Sequence, residues 1–110
     1  MERLVKGDVI IIDFPFSNLI QSKRRPALII KVPKGDDVIV CQITGKSYEP
    51  SVEILISKKD FIEGGLKVDS YLRLDKIFSL EKSLIRYKAG SLKHDKFNYF
   101  LDNFCKFLKS

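Results

Sequence analysis

Along the first three quarters of the chain, apolar positions come in short runs separated by turn residues. Asp8 to Phe14, DVIIIDF, is a β-forming run closed by Pro15, and it predicts a central strand. A polar loop follows through Ser17, Asn18, Gln21 and Ser22 to the cations Lys23, Arg24 and Arg25. Ala27 to Val32 predicts a second strand, PKGDD at 33–37 a turn, and Val38 to Thr44, VIVCQIT, a third strand. Val52 to Ile56 predicts a fourth, paired across the polar stretch GKSYEP. Gly64 and Gly65 mark a turn, Ser70 to Leu74 alternates as a half-buried strand does, and Leu84 to Tyr87 predicts one more.

The tail has another period. Phe97, Phe100, Leu101, Phe104, Cys105 and Leu108 fall at i, i+3, i+4, i+7, i+8 and i+11, one apolar stripe on a helix spanning about 93–109. Asp95 near its start and Lys106 and Lys109 near its end suit the helix dipole. The start has no clear cap, because Ser91 lies early and Lys93 is a poor one. With no repeat, linker or low-complexity stretch, residues 1–110 read as a single domain. Many short strands and a closing helix predict a mainly β fold, a small, partly closed SH3-like barrel.

Composition narrows the function. At 110 residues the chain suffices for one core, burying about two thirds of its unfolded surface. Twenty Lys and Arg against 14 Asp and Glu give a net charge of +6, which favours a polyanionic partner. No single-sign block carries that surplus, so folding must assemble any basic surface. The run Val9 to Ile12 is too short for a secretory signal and meets Asp13, and no apolar stretch approaches a membrane span. A cytoplasmic protein without membrane contact is expected. Cys41 and Cys105 sit among apolar neighbours and are expected as reduced core residues. With two separated cysteines and one histidine, His94, neither a metal site nor a histidine-pair mechanism is expected.

The familiar enzyme signatures are absent. The six glycines form neither a dinucleotide-binding fingerprint nor a phosphate loop. Nothing places a serine near His94, which the helical pattern sets in an exposed first turn. Asp36 and Asp37 beside Gly35 read as a hairpin turn. What remains is the cationic run, whose last member Arg25 is held between Pro26 and a buried strand, and the polar group Gln42, Thr44, Lys46 and Ser47. In an extended strand Gln42 and Thr44 share one face and Cys41 and Ile43 the other. The first pair then either lines a polar groove or, for Thr44, merely ends a strand, where threonine is common.

KGDVIIIDFPFSN, QSKRRPALII, VCQIT and EGGLKVDSYLRLDKIFSL, taken in that order, resemble the MazF/PemK family of type II toxin endoribonucleases. The resemblance implies a CcdB/MazF-type barrel forming a homodimer, without cofactor. It implies metal-independent cleavage of single-stranded RNA at preferred sequences, by attack of the 2′-hydroxyl on its own phosphate. The products are a 2′,3′-cyclic phosphate and a 5′-hydroxyl, and a cognate antitoxin with an acidic segment neutralises the enzyme. The catalytic roles carry to Arg25, before the proline, and to Thr44, ending the third strand. The loop from Ser17 to Arg24 corresponds to a mobile loop flanking the substrate groove. On this reading Lys23, Arg24 and Lys46 follow the RNA backbone. Ser17, Asn18, Gln21, Gln42 and Ser47 supply polar contacts, and Tyr48 a stacking surface.

The fork of Arg25 suits two phosphate oxygens and serves chiefly as a charge stabiliser, because a guanidinium is a poor base near neutral pH. No titrating base stands out. Gly45-Lys46 and Phe78-Ser79 depart from the family pattern and leave the cleavage sequence open. The same barrel also serves gyrase-poisoning toxins, but NFCKFLKS reads as a helix burying phenylalanines, without the exposed tail that role favours. A non-catalytic RNA-binding module uses the same cations and stands as the other alternative.

Overall fold

The computed structural model describes residues 3–14 and 23–110. Seven strands and one α-helix are found among them: β1 (Asp8–Phe14), β2 (Lys23–Lys31), β3 (Asp37–Thr44), β4 (Glu53–Ile56), β5 (Phe61–Gly64), β6 (Ser70–Glu81), β7 (Ile85–Leu92) and α1 (His94–Lys109). Their order across the sheet is β4-β6-β3-β2-β1-β7-β5, and every pairing is antiparallel. A mainly β fold with a closing helix is what the hydrophobic pattern predicted.

The chain itself forces the sheet to curl. β4 and β5 are its opposite edges, and a flat sheet of seven strands would hold them about 29 Å apart at a spacing of about 4.8 Å. Only Ser57 to Asp60 join them, and the five steps from Ile56 to Phe61 reach at most about 18 Å. The edges must therefore bend toward each other. Ile54 and Ile56 from one edge and Phe61 from the other do share a core with Leu28, Leu72, Phe97 and Phe100. A tight 3-10 turn makes the link, with Asp60 Oδ2 accepting from the Ser57 N–H at 2.8 Å.

A second cluster holds the other face: Ile10, Ile12, Ala27, Ile29, Val38 and Val40, closed by Leu80 and Ile85. Val9, Leu28 and Cys41 point into the first cluster while Ile10, Ala27 and Val40 point into the second. Strands β1 to β3 are thus buried on both sides, which is why they read as near-continuous apolar runs. At the β5–β7 edge two glycines permit close approach: Gly64 has a φ of +65°, and a Cβ on Gly90 would lie 2.6 Å from the Glu63 carbonyl oxygen.

Several elements differ from expectation. β2 begins at Lys23, not Ala27, because the β1–β2 ladder extends to Asp13↔Arg24 and Phe14↔Lys23. Two cations of the expected loop are therefore strand residues, and the remainder, with Ser17, Asn18 and Gln21, lies outside the described residues. β4 pairs with β6 rather than across GKSYEP with β3, whose second side β6 already occupies. β5 was not expected as a strand. β6 runs past Leu74 to Glu81, and a bulge between the partners of Cys41 and Ile43 breaks the alternation that would have revealed it. β7 likewise extends from Ile85 to Leu92.

The helix occupies the predicted span, with Lys93 at its N-cap making no side-chain cap. Its core-facing line is Phe97, Phe100, Leu101, Phe104 and Phe107, while Cys105 is exposed, contrary to expectation. At 100° per residue Cys105 lies about 100° from the centre of that line. Leu108 is also exposed, one residue beyond the last packed position, Phe107. Cys41 is buried as expected. Among the described residues no helix is long and apolar enough to cross a membrane.

Candidate functional site

Strand register assembles the site. β2 and β3 pair Ala27↔Gln42, Leu28↔Cys41 and Ile29↔Val40. Two further residues in the same register set Arg25 opposite Thr44; the ladder stops short of them beside Pro26, which has no N–H to give. On its other side Arg25 pairs with Ile12, while Thr44 pairs with Tyr71 and Tyr71 with Leu55. Opposed residues of antiparallel strands share a face. One row therefore crosses five strands: Ile12, Arg25, Thr44, Tyr71 and Leu55. Gln42 lies on the same face one pair along, against the β6 bulge.

Arg25 is partly buried and Thr44 is 6% exposed. The Thr44 Oγ1 donates to the Lys46 carbonyl oxygen at 3.2 Å and accepts from the Lys46 N–H at 3.3 Å. Both bonds are long, so the hydroxyl is held only loosely to the turn that follows β3. That turn is anchored by Glu53, whose side chain is 2% exposed. Glu53 accepts from Ser47 Oγ at 2.6 Å, the Tyr48 N–H at 2.8 Å and the Glu49 N–H at 3.1 Å, with Arg73 Nη1 3.6 Å away. Burial opposes its ionisation, but the bonds from Ser47, Tyr48 and Glu49 and the Arg73 charge outweigh it and hold the carboxyl below its ordinary range.

Arg73 links this anchor to the bulge. Its Nε and Nη2 donate to the two oxygens of Asp75 at 3.0 Å each, and its Cζ sits 5.7 Å from the centre of the Tyr48 ring. The Asp75 bond raises the Arg73 pKa, and the same bond lowers that of Asp75. Tyr48 itself is 69% exposed, a flat ring with a cation behind it. Behind the bulge, the Cys41 Sγ donates to the Arg73 carbonyl oxygen at 3.1 Å, and burial pushes this thiol up to about 12.

Beside Gln42 lies a groove of about 580 Å³ that runs along the bulge past Asp75, Lys76 and Phe78 to Leu84. Phe14 and Phe78 meet edge to face in its wall, with ring centres 5.3 Å apart. Among the described residues no group of three or more His, Cys, Asp or Glu side chains is arranged to hold a metal ion.

Of the residues singled out from sequence, Lys23, Arg25, Gln42 and Thr44 share one face, by alternation along β2 and β3. Arg24 faces the opposite side, paired across the ladder with Asp13. Lys46, Ser47 and Tyr48 are exposed in the turn just beyond Thr44, the Ser47 hydroxyl being taken up by Glu53. His94 is an exposed first-turn residue. Sequence reasoning missed Glu53, Tyr71, Arg73 and Asp75. The alternation of Tyr71 and Arg73 was visible, but it pointed at Thr44 only once β6 was known to lie beside β3.

Residues 5–108 match the family described as PemK-like, MazF-like toxins of type II toxin–antitoxin systems. Comparison with curated proteins finds no sequence match. The fold recurs in a MazE–MazF structure from Deinococcus radiodurans, with a TM-score of 0.76 at 17% identity, covering 96% of each chain. It recurs in an endoribonuclease in complex with its cognate antitoxin from Mycobacterial species, with a TM-score of 0.75 at 16% identity over 97% of this chain and 96% of that one. The Mycobacterium tuberculosis toxin MazF-mt6 aligns with a TM-score of 0.71 at 16% identity over 90% of this chain and 93% of its own. These likenesses speak for the fold, while the family match spans almost the whole sequence. The chain is a member of the PemK-like, MazF-like toxin family of type II toxin–antitoxin systems.

Proposed function

We propose that this chain is an endoribonuclease toxin that cuts single-stranded RNA at preferred sequences without a metal, and that a cognate antitoxin holds it in check. The observation that supports this reading is the register of β2 and β3, whose continuation two residues past Ala27↔Gln42 sets Arg25 opposite Thr44 on one side of the sheet. A guanidinium and a hydroxyl on adjoining strands can grip one phosphate between them. As the 2′-oxygen bonds to phosphorus and the bond to the 5′-oxygen breaks, negative charge grows on the phosphoryl oxygens. A cation fixed at a partly buried strand position opposes that charge without reorganising, an effect worth about 3 kcal/mol per such group. Arg25 stabilises the charge and protonates the leaving 5′-oxygen, while Thr44 donates to a phosphate oxygen once Lys46 releases it. The 2′-hydroxyl gives its proton to a base that neither residue supplies.

Lys23, two residues before Arg25 on β2, and Lys46, two residues past Thr44, stand on one side of this row and extend the positive track for the RNA backbone, with Tyr48 as a stacking ring. The chain acts in the cytoplasm as a homodimer, which lengthens the basic groove. The antitoxin competes for the groove with an acidic segment. Such pairing accords with the solved relatives, one of which is an endoribonuclease in complex with its cognate antitoxin.

The test is cleavage of a labelled, mixed-sequence single-stranded RNA with chelator present, by the wild type, Arg25→Ala and Thr44→Ala. Discrete cuts leaving 2′,3′-cyclic phosphate ends, lost in both variants, are expected. Cutting that survives Arg25→Ala would sink the assignment. RNA binding without cutting by the wild type would move the reading to a non-catalytic module.

A further inference from the structure

The groove beside Gln42 adjoins the row of Arg25 and Thr44 without being part of it. Gln42 and Thr44 lie two residues apart on one face of β3, about 7 Å along the strand. An RNA strand whose phosphate sits at Thr44 therefore presents a neighbouring base to the groove. The groove, about 580 Å³, has ample room for a flat heteroaromatic group, and the Phe14–Phe78 pair offers it an aromatic wall.

The polar lining is asymmetric. Asp75 is one-third exposed, and Arg73 occupies one acceptor position on each of its oxygens. A carboxylate has about four such positions, so the outward ones stay open. The Arg73 hydrogen bond holds Asp75 below its ordinary carboxyl range, so at neutral pH it accepts and cannot donate. Arg73 is itself steadied by Glu53, so the carboxylate is fixed in place. Lys76 stands beside it as a contact for a passing phosphate.

Resting on the reading that RNA is the substrate, we propose that this groove is a nucleobase subsite in which Asp75 selects a base bearing an exocyclic amino group and rejects uracil. An amino group projects an N–H toward the carboxylate, as cytosine N4 does toward Asp or Glu elsewhere. Uracil carries its O4 carbonyl in the place of that amino group, and two acceptors repel. Cytosine and uracil match in size, so the preference between them reports hydrogen-bond polarity alone.

The experiment is to sequence the ends produced from a randomised RNA by the wild type, Asp75→Asn and Asp75→Glu. In parallel, binding is measured for uncleavable 2′-deoxy oligonucleotides differing only in cytosine or uracil at the selected position. The wild type is expected to disfavour uracil against cytosine about tenfold at one position near the cut. Asp75→Asn, which can turn an amide N–H outward, abolishes that preference, and Asp75→Glu retains part of it. Cleavage with no position separating cytosine from uracil overturns the inference and leaves the nuclease reading standing. So does a preference unchanged in Asp75→Asn. Absent cleavage with a tenfold binding preference would overturn the nuclease reading alone, while equal binding of both oligonucleotides would overturn the subsite as well. Should Asp75→Asn fail to fold, the wild-type preference and the Asp75→Glu binding ratio decide.

Discussion

Replacing Thr44 by valine removes the hydroxyl and keeps the shape, and the structure says what that should cost. The Oγ1 makes two bonds to Lys46, at 3.2 and 3.3 Å. Hydrogen bonds of ordinary length net about 1 kcal/mol each, and these lie at the weak end, so Thr44→Val should lose about 1 kcal/mol of stability in all. A domain of typical stability, about 5–15 kcal/mol, remains folded after such a loss. If the hydroxyl also donates to a phosphate oxygen in the transition state, its removal should lower kcat by about 100-fold or more, near 3 kcal/mol. The two quantities differ enough to be separated. Urea denaturation gives the first, kcat and kcat/KM on a cleaved RNA the second, and Thr44→Ser, which restores the oxygen, should recover most of the activity. If Thr44→Val cuts at close to the wild-type rate, the hydroxyl serves only to close the turn and the assigned role is wrong.

Phe100 is fully buried and stacked on Phe104 with ring centres 6.0 Å apart, so Phe100→Ala should cost about 3–5 kcal/mol in chemical denaturation. A loss under about 1 kcal/mol would contradict its place at the centre of the helix–sheet core. Glu53 is held below its ordinary value of 4.5, so its stabilising bonds are fully present above that pH and fade as the pH falls through the lower folded value. Thermal melts of wild type and Glu53→Gln should therefore differ most near neutrality and converge in acid; a gap that widens in acid would refute the anchor. Burial keeps the Cys41 thiol protonated to about 12 while Cys105 is exposed, so a thiol reagent at pH 8 should add one label to the native protein and a second only after denaturation, counted by mass.

How much of this was legible beforehand depends on how far apart in sequence the cooperating groups lie. The run DVIIIDF matched β1 residue for residue because its apolar density and flanking breakers are local signals. The period of the tail predicts α1 for the same reason, and only Cys105 and Leu108 of its expected stripe lie off the packed face. The far half of β6 is hidden in the sequence because a bulge disrupts its alternation, and the neighbour of β4 is hidden because a short polar connection looks like a hairpin whether or not the strands pair. At the site, the alternation of Gln42 and Thr44 against Cys41 and Ile43 followed from strand geometry alone and holds.

The sequence by itself determined the β-rich composition of the fold, its closing helix and the family to which the chain belongs, since each is written in contiguous residues. Tertiary structure decided which strands adjoin, and with that which side chains meet. Glu53, Arg73 and Asp75 belong to strands separated from Thr44 by turns and bulges, and nothing local reveals that they share its surroundings. Their grouping comes from β6 lying between β3 and β4 in the sheet, a pairing made by strands far apart in the chain that no local pattern records.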